Sequence, residues 1–552
     1  MPNLTPAPGL LGARPTRRYA MHAVFPAPAD HVVHGGPSDL PAAGPWRLSS
    51  ADPALAEVER TVRALLEPHL GRRLLPVGSA SPGAEIRLEL DASVPAGRRT
   101  RGVAPDGGPG PADEVYAVSV REERVLCRGR TPAGVFRAAT TALQLIGLAE
   151  PDETLAPQEF TDAPHYAWRG LLLDTARRFI PVPEMHRLID LAALYKINVL
   201  HLHLTDNEGW RIEIPSLPAL TAGSADGGLY TVDEYRALQE YAASRHIVVV
   251  PEIDLPGHCA ALRAALPGLP PAPAPPGLAG RFPYTPPLDL ADPGTRELVR
   301  TILADVCALT DGPFVHIGGD EALGITEQGF ATALNEVRTM VRELGKRPVA
   351  WQESSRAGIG PQDIAQFWVD PGMMDLPGTE EELARRPDLV GAGFTGEFVA
   401  ALKRFFAPSA EDARRVLDGG GMLLLSPQSH LYLDRRYAQE VAPPERAEQA
   451  AGLGFPSYRP RSVEYIAGWD PRSHALPEER IAGVEATLFS ENLRDFEELT
   501  TLLLPRLASV ASTAWSGGPQ PWREHRRALG RHSRLWRDRG LAFFPATDVD
   551  WS

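Results

Sequence analysis

The chain has 552 residues, 43% hydrophobic and 23% charged, with a formal net charge of -14 at pH 7. That length accommodates two to four domains around a large core, and the acidic balance argues against nucleic acid or an anionic membrane surface as a partner. The three cysteines, Cys127, Cys259 and Cys307, are far apart in sequence, which points to neither a disulfide framework nor a zinc ribbon.

The first residues, Met1 to Asp30, are rich in Pro, Ala and Arg and lack the continuous apolar stretch of a secretory signal. No segment reaches the ~20 apolar residues that span a bilayer, so the chain reads as cytoplasmic. Residues 1–45 as a whole, dense in proline and glycine, are expected to be irregular. Residues 46–164 mix periods and predict a small α+β domain: Ile86–Leu90 and Val115–Val120 alternate apolar and polar residues like half-buried strands, Val125–Arg128 could pair with the second, and Thr131–Leu148 has helical periodicity.

From 165 to 545 the pattern becomes regular. Apolar runs of strand length recur at Arg169–Leu173, Asn198–Leu204, Ile247–Val250, Pro313–Ile317, Pro348–Trp351, Ile364–Trp368, Met422–Leu425 and Gly483–Leu488. Helical stretches lie between them, including Pro183–Tyr195, Val232–Arg245, Thr295–Leu309 and Glu327–Leu344. Continuous apolar strands suit a parallel sheet buried on both faces, and eight of them alternating with helices predict an α/β fold, a (β/α)8 TIM barrel behind the small α+β domain. Two long segments interrupt it, the proline-rich Pro267–Pro287 and the insertion Pro371–Ala410; either could wall a pocket or be a passive surface excursion.

Barrel sites gather where the strands end, and polar and aromatic residues stand there in number. Strand two ends in His201, His203 and Asp206; strand three runs into Asp254 and His258; strands five and six end in Trp351 and Trp368; Tyr432 and Asp434 follow strand seven, and Phe489 and Glu491 follow strand eight. Strand four runs into His-Ile-Gly-Gly-Asp-Glu-Ala, residues 316–322. Side chains alternate along a strand, but Gly318 and Gly319 can relax that rule and deliver Asp320 and Glu321 together. Two adjacent carboxyl groups suit acid/base work on one bond; an acidic loop tip or helix N-cap pair would also produce them. Rings that stack on C–H faces and carboxylates that accept hydrogen bonds from hydroxyls form a sugar site.

These stretches resemble the β-N-acetylhexosaminidases of glycoside hydrolase family 20, over roughly residues 46–545. The matching segments are Trp168-Arg169-Gly170 through Asp174 and Arg177, His201 to Trp210, Asp254 to His258, His316 to Ala322, Tyr432-Leu433-Asp434, Gly468 to Pro471, and Gly483 to Ala486 leading to Glu491. The resemblance implies an exo-acting, retaining enzyme for terminal β-linked N-acetylglucosamine or N-acetylgalactosamine, with no cofactor and with carbohydrate as its partner. Its mechanism is substrate-assisted, one of the exceptions to the two-carboxylate scheme: the 2-acetamido carbonyl attacks the anomeric carbon and forms an oxazolinium ion. By the same resemblance Glu321 is the acid/base, Asp320 holds the acetamido N–H, and Tyr432 binds the acetamido oxygen. Trp351 and Trp368 wall its pocket. Arg169, Asp434 and Glu491 bind ring hydroxyls, Phe489 lies under the sugar ring, and Asp254 and His258 support Glu321. His201, His203 and Asp206 are expected to shape the pocket floor.

Two positions depart from the family's pattern. Phe489 stands where Trp is common, which weakens stacking or admits a different sugar, and Arg178 stands where His is frequent. Two other readings compete. A metal-dependent barrel hydrolase could use His201 and His203 with Asp254, His258 and Asp320, although strands five and six offer tryptophan where further histidines would be needed. A non-catalytic glycan-binding protein would keep the aromatic walls without needing both carboxylates.

Overall fold

The computed structural model describes residues 23–551 except 35–39, 80, 109, 111–112, 151–152, 223–226, 274–284, 374–375 and 392. The expectation for Met1–Asp30 therefore lies largely outside the described residues, as does the middle of Pro267–Pro287.

Six strands form the N-terminal sheet: β1 (Asp30–Val33), β2 (Trp46–Ser50), β3 (Ala84–Leu90), β4 (Tyr116–Arg121), β5 (Arg124–Gly129) and β6 (Gln158–Asp162), in the spatial order β1-β6-β4-β5-β3-β2. Asp30–Val33 pairs antiparallel with β6, so the sheet draws an edge strand from the segment expected to be irregular. The Pro132–Gly147 helix begins with Thr131, whose hydroxyl accepts from Gly134 N at 3.1 Å, and with Pro132 in the first turn. Nearly every residue of this helix is buried, as expected of an element enclosed on all sides. It packs on β5, and Gln144 donates across to Leu194 O in the barrel at 2.8 Å.

The barrel strands are β7 (Trp168–Asp174), β8 (Val199–His203), β9 (Val248–Glu252), β10 (Phe314–His316), β11 (Arg347–Trp351), β12 (Ile364–Phe367), β13 (Met422–Leu425) and β14 (Ile481–Leu488). Each pairs in parallel with its neighbours, and β9 with β10 and β14 with β7 complete the closure. All eight strands stand where the apolar runs place them.

Period-two alternation stacks the barrel interior in layers. The lowest is a greasy plug of Trp168, Val199, Val250, Phe314, Val349, Ile364, Leu424 and Ala482, one residue from each strand. Two residues higher, and three higher on β14, the layer turns polar, with His201, Glu252, His316, Gln366, Ser426 and Glu485 all buried. Gln366 Nε2 donates to Ser426 Oγ at 2.9 Å and to Glu485 Oε1 at 3.0 Å, and Trp168 Nε1 donates upward to Glu485 Oε2 at 3.0 Å. Buried polar groups tolerate burial only when satisfied in this way. Gly170 makes room for this layer, because a β-carbon there would lie 2.1 Å from Glu485 Oε2. Above it the strand ends open into a pocket.

Candidate active site

The pocket is organised around the turn after β10. Gly318 and Gly319 have φ of 66° and 94°, and Glu321 itself has φ of 38°. The chain thus passes through left-handed backbone that favours glycine, and the alternation of a strand is broken where two carboxylates follow each other. Asp254, just past the neighbouring strand β9, fixes the turn, its Oδ1 accepting from Gly319 N at 3.0 Å.

Both carboxylates face one imidazole. His258 Nε2 lies 3.9 Å from Asp320 Oδ2 and 3.9 Å from Glu321 Oε2. On its other side, His258 Nδ1 is 3.1 Å from Asp206 Oδ1. The direct partner of His258 is therefore Asp206, while Asp254 braces the backbone beneath the carboxylates. Burial pushes the Glu321 carboxyl up to about 7, and the charge of Asp320 adds to the shift. The imidazole of His258 is held well above its ordinary value by Asp254, Asp206 and Asp320 against the effect of its burial. A proton-bearing Glu321 beside a cationic His258 is a poised acid.

Four rings build a box against this pair. Trp351 meets Trp368 edge-on, with centroids 6.4 Å apart. Trp368 lies nearly parallel to Tyr432 at 6.2 Å. Phe489 closes the box at 5.3 Å from Tyr432 and 6.5 Å from Trp351. Each indole is pinned by a buried carboxylate: Trp351 Nε1 donates to Glu252 Oε1 at 2.9 Å and Trp368 Nε1 to Glu353 Oε2 at 3.1 Å. The insertion Pro371–Ala410 carries three helices, Glu380–Ala384, Pro387–Gly391 and Gly396–Phe406. It backs the box from outside, with the Phe406 ring edge-on to Trp368 at 5.7 Å. Of its two expected roles, walling the pocket is the one the packing bears out.

A polar rim faces the box. Asp434 is buried with neither carboxyl oxygen partnered, and burial, reinforced by Glu491, pushes it up to about 8. Glu491 is raised as well, chiefly by burial. Arg177 stands beside Glu491 and the ring of Phe489, its guanidinium 5.7 Å from that ring's centroid. Arg177 Nη2 is 2.7 Å from Asp206 Oδ2 and Nη1 3.9 Å from Glu491 Oε1.

Arg169 is not in this pocket. It is the second residue of β7, at the opposite end of the strand, and its guanidinium turns toward the N-terminal domain. Nη2 donates to both oxygens of Glu114 at 2.8 Å, Nε to Lys196 O at 2.9 Å and Nη1 to Tyr166 O at 2.8 Å. A fully paired, buried guanidinium has no donor left for a sugar five residues farther up the strand. The arginine at the site is Arg177, just past the strand's end. Asp174 Oδ1 accepts from Arg177 N at 3.1 Å and Oδ2 from Ser490 N at 3.0 Å, fixing the loop that carries it. An arginine three residues beyond the last strand residue is the signal that identifies it in the sequence. Arg178 turns away, toward Glu184 at 3.8 Å.

His203 and His201 stand below the pocket as floor. His203 Nε2 is 2.9 Å from Asp206 Oδ2, and His201 Nδ1 is 2.8 Å from Glu485 Oε1. Among the described residues, three groups bring ligand-type atoms within 4.8 Å of one another and could hold a metal: His201, Glu252 and His316; Asp206, Asp254 and His258; and His258, Asp320 and Glu321. In the first two, His201 Nδ1, Glu252 Oε1, Asp254 Oδ1 and both oxygens of Asp206 already take part in hydrogen bonds.

Comparison with known proteins falls on these same stretches. The model of the glycosyl hydrolase family 20 catalytic domain matches residues 166–328 and 403–518, and that of the family's domain 2 matches residues 21–163. A β-N-acetylhexosaminidase of Cellulomonas fimi is 33% identical, over 96% of this chain and 97% of its own length. The family 20 β-N-acetylhexosaminidase structure from Streptomyces coelicolor aligns with a TM-score of 0.73 at 28% identity, over 96% of this chain and 99% of its own. A mutant Streptomyces plicatus β-hexosaminidase in complex with its product, GlcNAc, aligns with a TM-score of 0.74 at 29% identity, over 96% of this chain and 98% of that one.

Proposed function

Since the chain belongs to glycoside hydrolase family 20, we propose that its two adjacent carboxylates divide a substrate-assisted hydrolysis between them. The protein is an exo-acting β-N-acetylhexosaminidase. A terminal β-linked N-acetylglucosamine or N-acetylgalactosamine sits with its acetamido arm in the box of Trp351, Trp368, Tyr432 and Phe489. Asp320 accepts from the acetamido N–H, and the Tyr432 hydroxyl donates to the acetamido oxygen.

That oxygen attacks C1 as the glycosidic C1–O bond breaks, and Glu321 gives its proton to the departing oxygen. The bicyclic oxazolinium ion carries a positive charge over the acetamido group, where the Asp320 carboxylate offsets it. Water then attacks C1 as the Glu321 carboxylate takes its proton, and the ring opens with the original anomeric configuration restored. Each displacement inverts C1, so two of them retain it. Arg177, Asp434 and Glu491 hold the ring hydroxyls, and the unpartnered oxygens of Asp434 supply acceptors for them. Phe489 offers a smaller platform than tryptophan, which relaxes the grip on the ring face.

The observation that carries this reading is geometric: two adjacent carboxylates lie at the same 3.9 Å from His258 Nε2, with Glu321 raised by burial and by Asp320 and the charge of Asp320 felt by the Tyr432 hydroxyl. The test is hydrolysis of an aryl N-acetyl-β-glucosaminide followed by proton NMR. Release of the β-anomer first supports the reading, and initial release of the α-anomer or tight binding without turnover contradicts it.

A further inference from the structure

The polar layer under the pocket contains one carboxylate whose contacts reach two parts of the active site. Glu252 is wholly buried at the end of β9. Its Oε1 accepts from Trp351 Nε1 at 2.9 Å, and Trp351 is a wall of the acetamido box. Its Oε2 lies 2.6 Å from His203 Nδ1. From His203 the contacts continue: Nε2 to Asp206 Oδ2 at 2.9 Å, Asp206 Oδ1 to His258 Nδ1 at 3.1 Å, and His258 Nε2 to Glu321 Oε2 at 3.9 Å. His201 Nε2 at 3.2 Å from Oε2 and His316 Nδ1 at 2.9 Å from Oε1 fix the carboxylate from below.

We propose that Glu252 is a positioning residue of the reaction, a single buried carboxylate that sets the wall gripping the nucleophilic acetamido arm through one oxygen and the acid that expels the leaving group through the other.

The chemistry gives this coupling a use. Attack by the acetamido oxygen and protonation of the leaving oxygen occur on opposite sides of C1, so both groups must be placed relative to one another. A chain of alternating carboxylate and imidazole also fixes the orientation of each ring and favours its protonated form. Charge supports the arrangement: the Glu252 carboxyl is held well below its ordinary range by His316 and His203 despite its burial, and His203 is held well above its own. The alternative, that Glu252 only satisfies polar groups in a sealed layer, predicts a loss of stability and nothing specific to either half of the reaction.

The inference rests on the acid role of Glu321, and one experiment separates the two. Aryl N-acetyl-β-glucosaminides with a good and a poor leaving group, and inhibition by an N-acetylglucosamine thiazoline, are measured per active site in the native enzyme, Glu321→Gln, Glu252→Gln and Glu252→Asp. Glu321→Gln tests the parent reading alone: if it treats both leaving groups as the native enzyme does, the proposed function fails irrespective of Glu252. Glu252→Gln removes the charge that acts on both arms and sets an N–H donor against one of them. It weakens thiazoline binding and widens the ratio between good and poor leaving groups, each about 10- to 100-fold, the scale on which small misplacements act. Glu252→Asp keeps the charge, and with it the fold, but is too short to span both arms; it shows the same two changes to a smaller degree and stands in where the Gln variant does not fold. Equal losses for both leaving groups with unchanged thiazoline affinity overturn the proposal, as does a change confined to one readout in both variants.

Discussion

Gly318 lies so close to Asp254 that a β-carbon added to it would sit 1.7 Å from the Asp254 Oδ1 oxygen. That oxygen also accepts from Gly319 N, so the glycine and the carboxylate are parts of one clamp that aims Asp320 and Glu321 into the pocket. Gly318→Ala has to displace Asp254 and also strain a backbone at φ of 66°. The expected result is at least a ~100-fold fall in kcat with a far smaller change in far-ultraviolet circular dichroism, since the barrel strands do not depend on the turn. Retention of most activity would show that the clamp does not set the carboxylates.

The two carboxylates differ in what their removal costs. Glu321→Gln withholds the proton from the leaving group, so kcat/KM falls roughly 100- to 10,000-fold for a poorly leaving alcohol and much less for an activated phenol. Asp320→Asn removes the charge facing the acetamido group and should lower both by about 100- to 1,000-fold. Steady-state kinetics on a graded series of aryl glycosides distinguishes the two patterns, and identical leaving-group dependence in both variants would reverse or cancel the assignment.

The pH dependence follows from the sign of one shift. The Glu321 carboxyl is pushed up to about 7 by burial first and by Asp320 second. The protonated form is the active one, so kcat/KM declines as pH rises through that value. The declining limb should disappear in Glu321→Gln with an activated substrate. A limb at the ordinary glutamate value of 4.5 would mean that the pocket does not tune the acid.

Arg169 and Arg177 both pair with buried carboxylates, but only Arg177 should affect binding. Arg169→Ala leaves Glu114 with Arg137 alone in a buried site and should cost about 3 kcal/mol of stability, while KM per folded molecule stays at its native value. Arg177→Ala should raise KM roughly 10- to 100-fold, the loss of a charged hydrogen bond to substrate. Thermal melts alongside KM for each variant decide between these roles; a KM effect from Arg169→Ala would restore it to the sugar site.

Much of this molecule was legible in its residues because parallel strands buried on both faces leave uninterrupted apolar runs, and all eight of them were locatable. The N-terminal sheet was less so. Asp30–Val33 is an exposed edge strand among prolines and glycines, and Gln158–Asp162 turns Gln158 and Asp162 inward, where Asp162 accepts from Trp515 Nε1 at 2.8 Å. Polar residues on a buried face erase the alternation that marks a strand. The site shows the same division. Asp320 and Glu321 announce themselves by adjacency, whereas Arg169 and Arg177 differ only in which end of a strand they occupy. The link between His258 and Asp206 joins residues 52 positions apart, and no local pattern reports which of several nearby acids an imidazole meets.

The central claim is that the sugar's own acetamido oxygen attacks C1 inside the box of Trp351, Trp368, Tyr432 and Phe489. Replacing the acetyl methyl hydrogens by one, two and three fluorines drains that oxygen of nucleophilicity with little change in size. The account predicts that kcat/KM for aryl glycosides drops steeply and monotonically along the series. A rate independent of fluorination, or a glycosyl group trapped on a protein side chain during turnover, would contradict it.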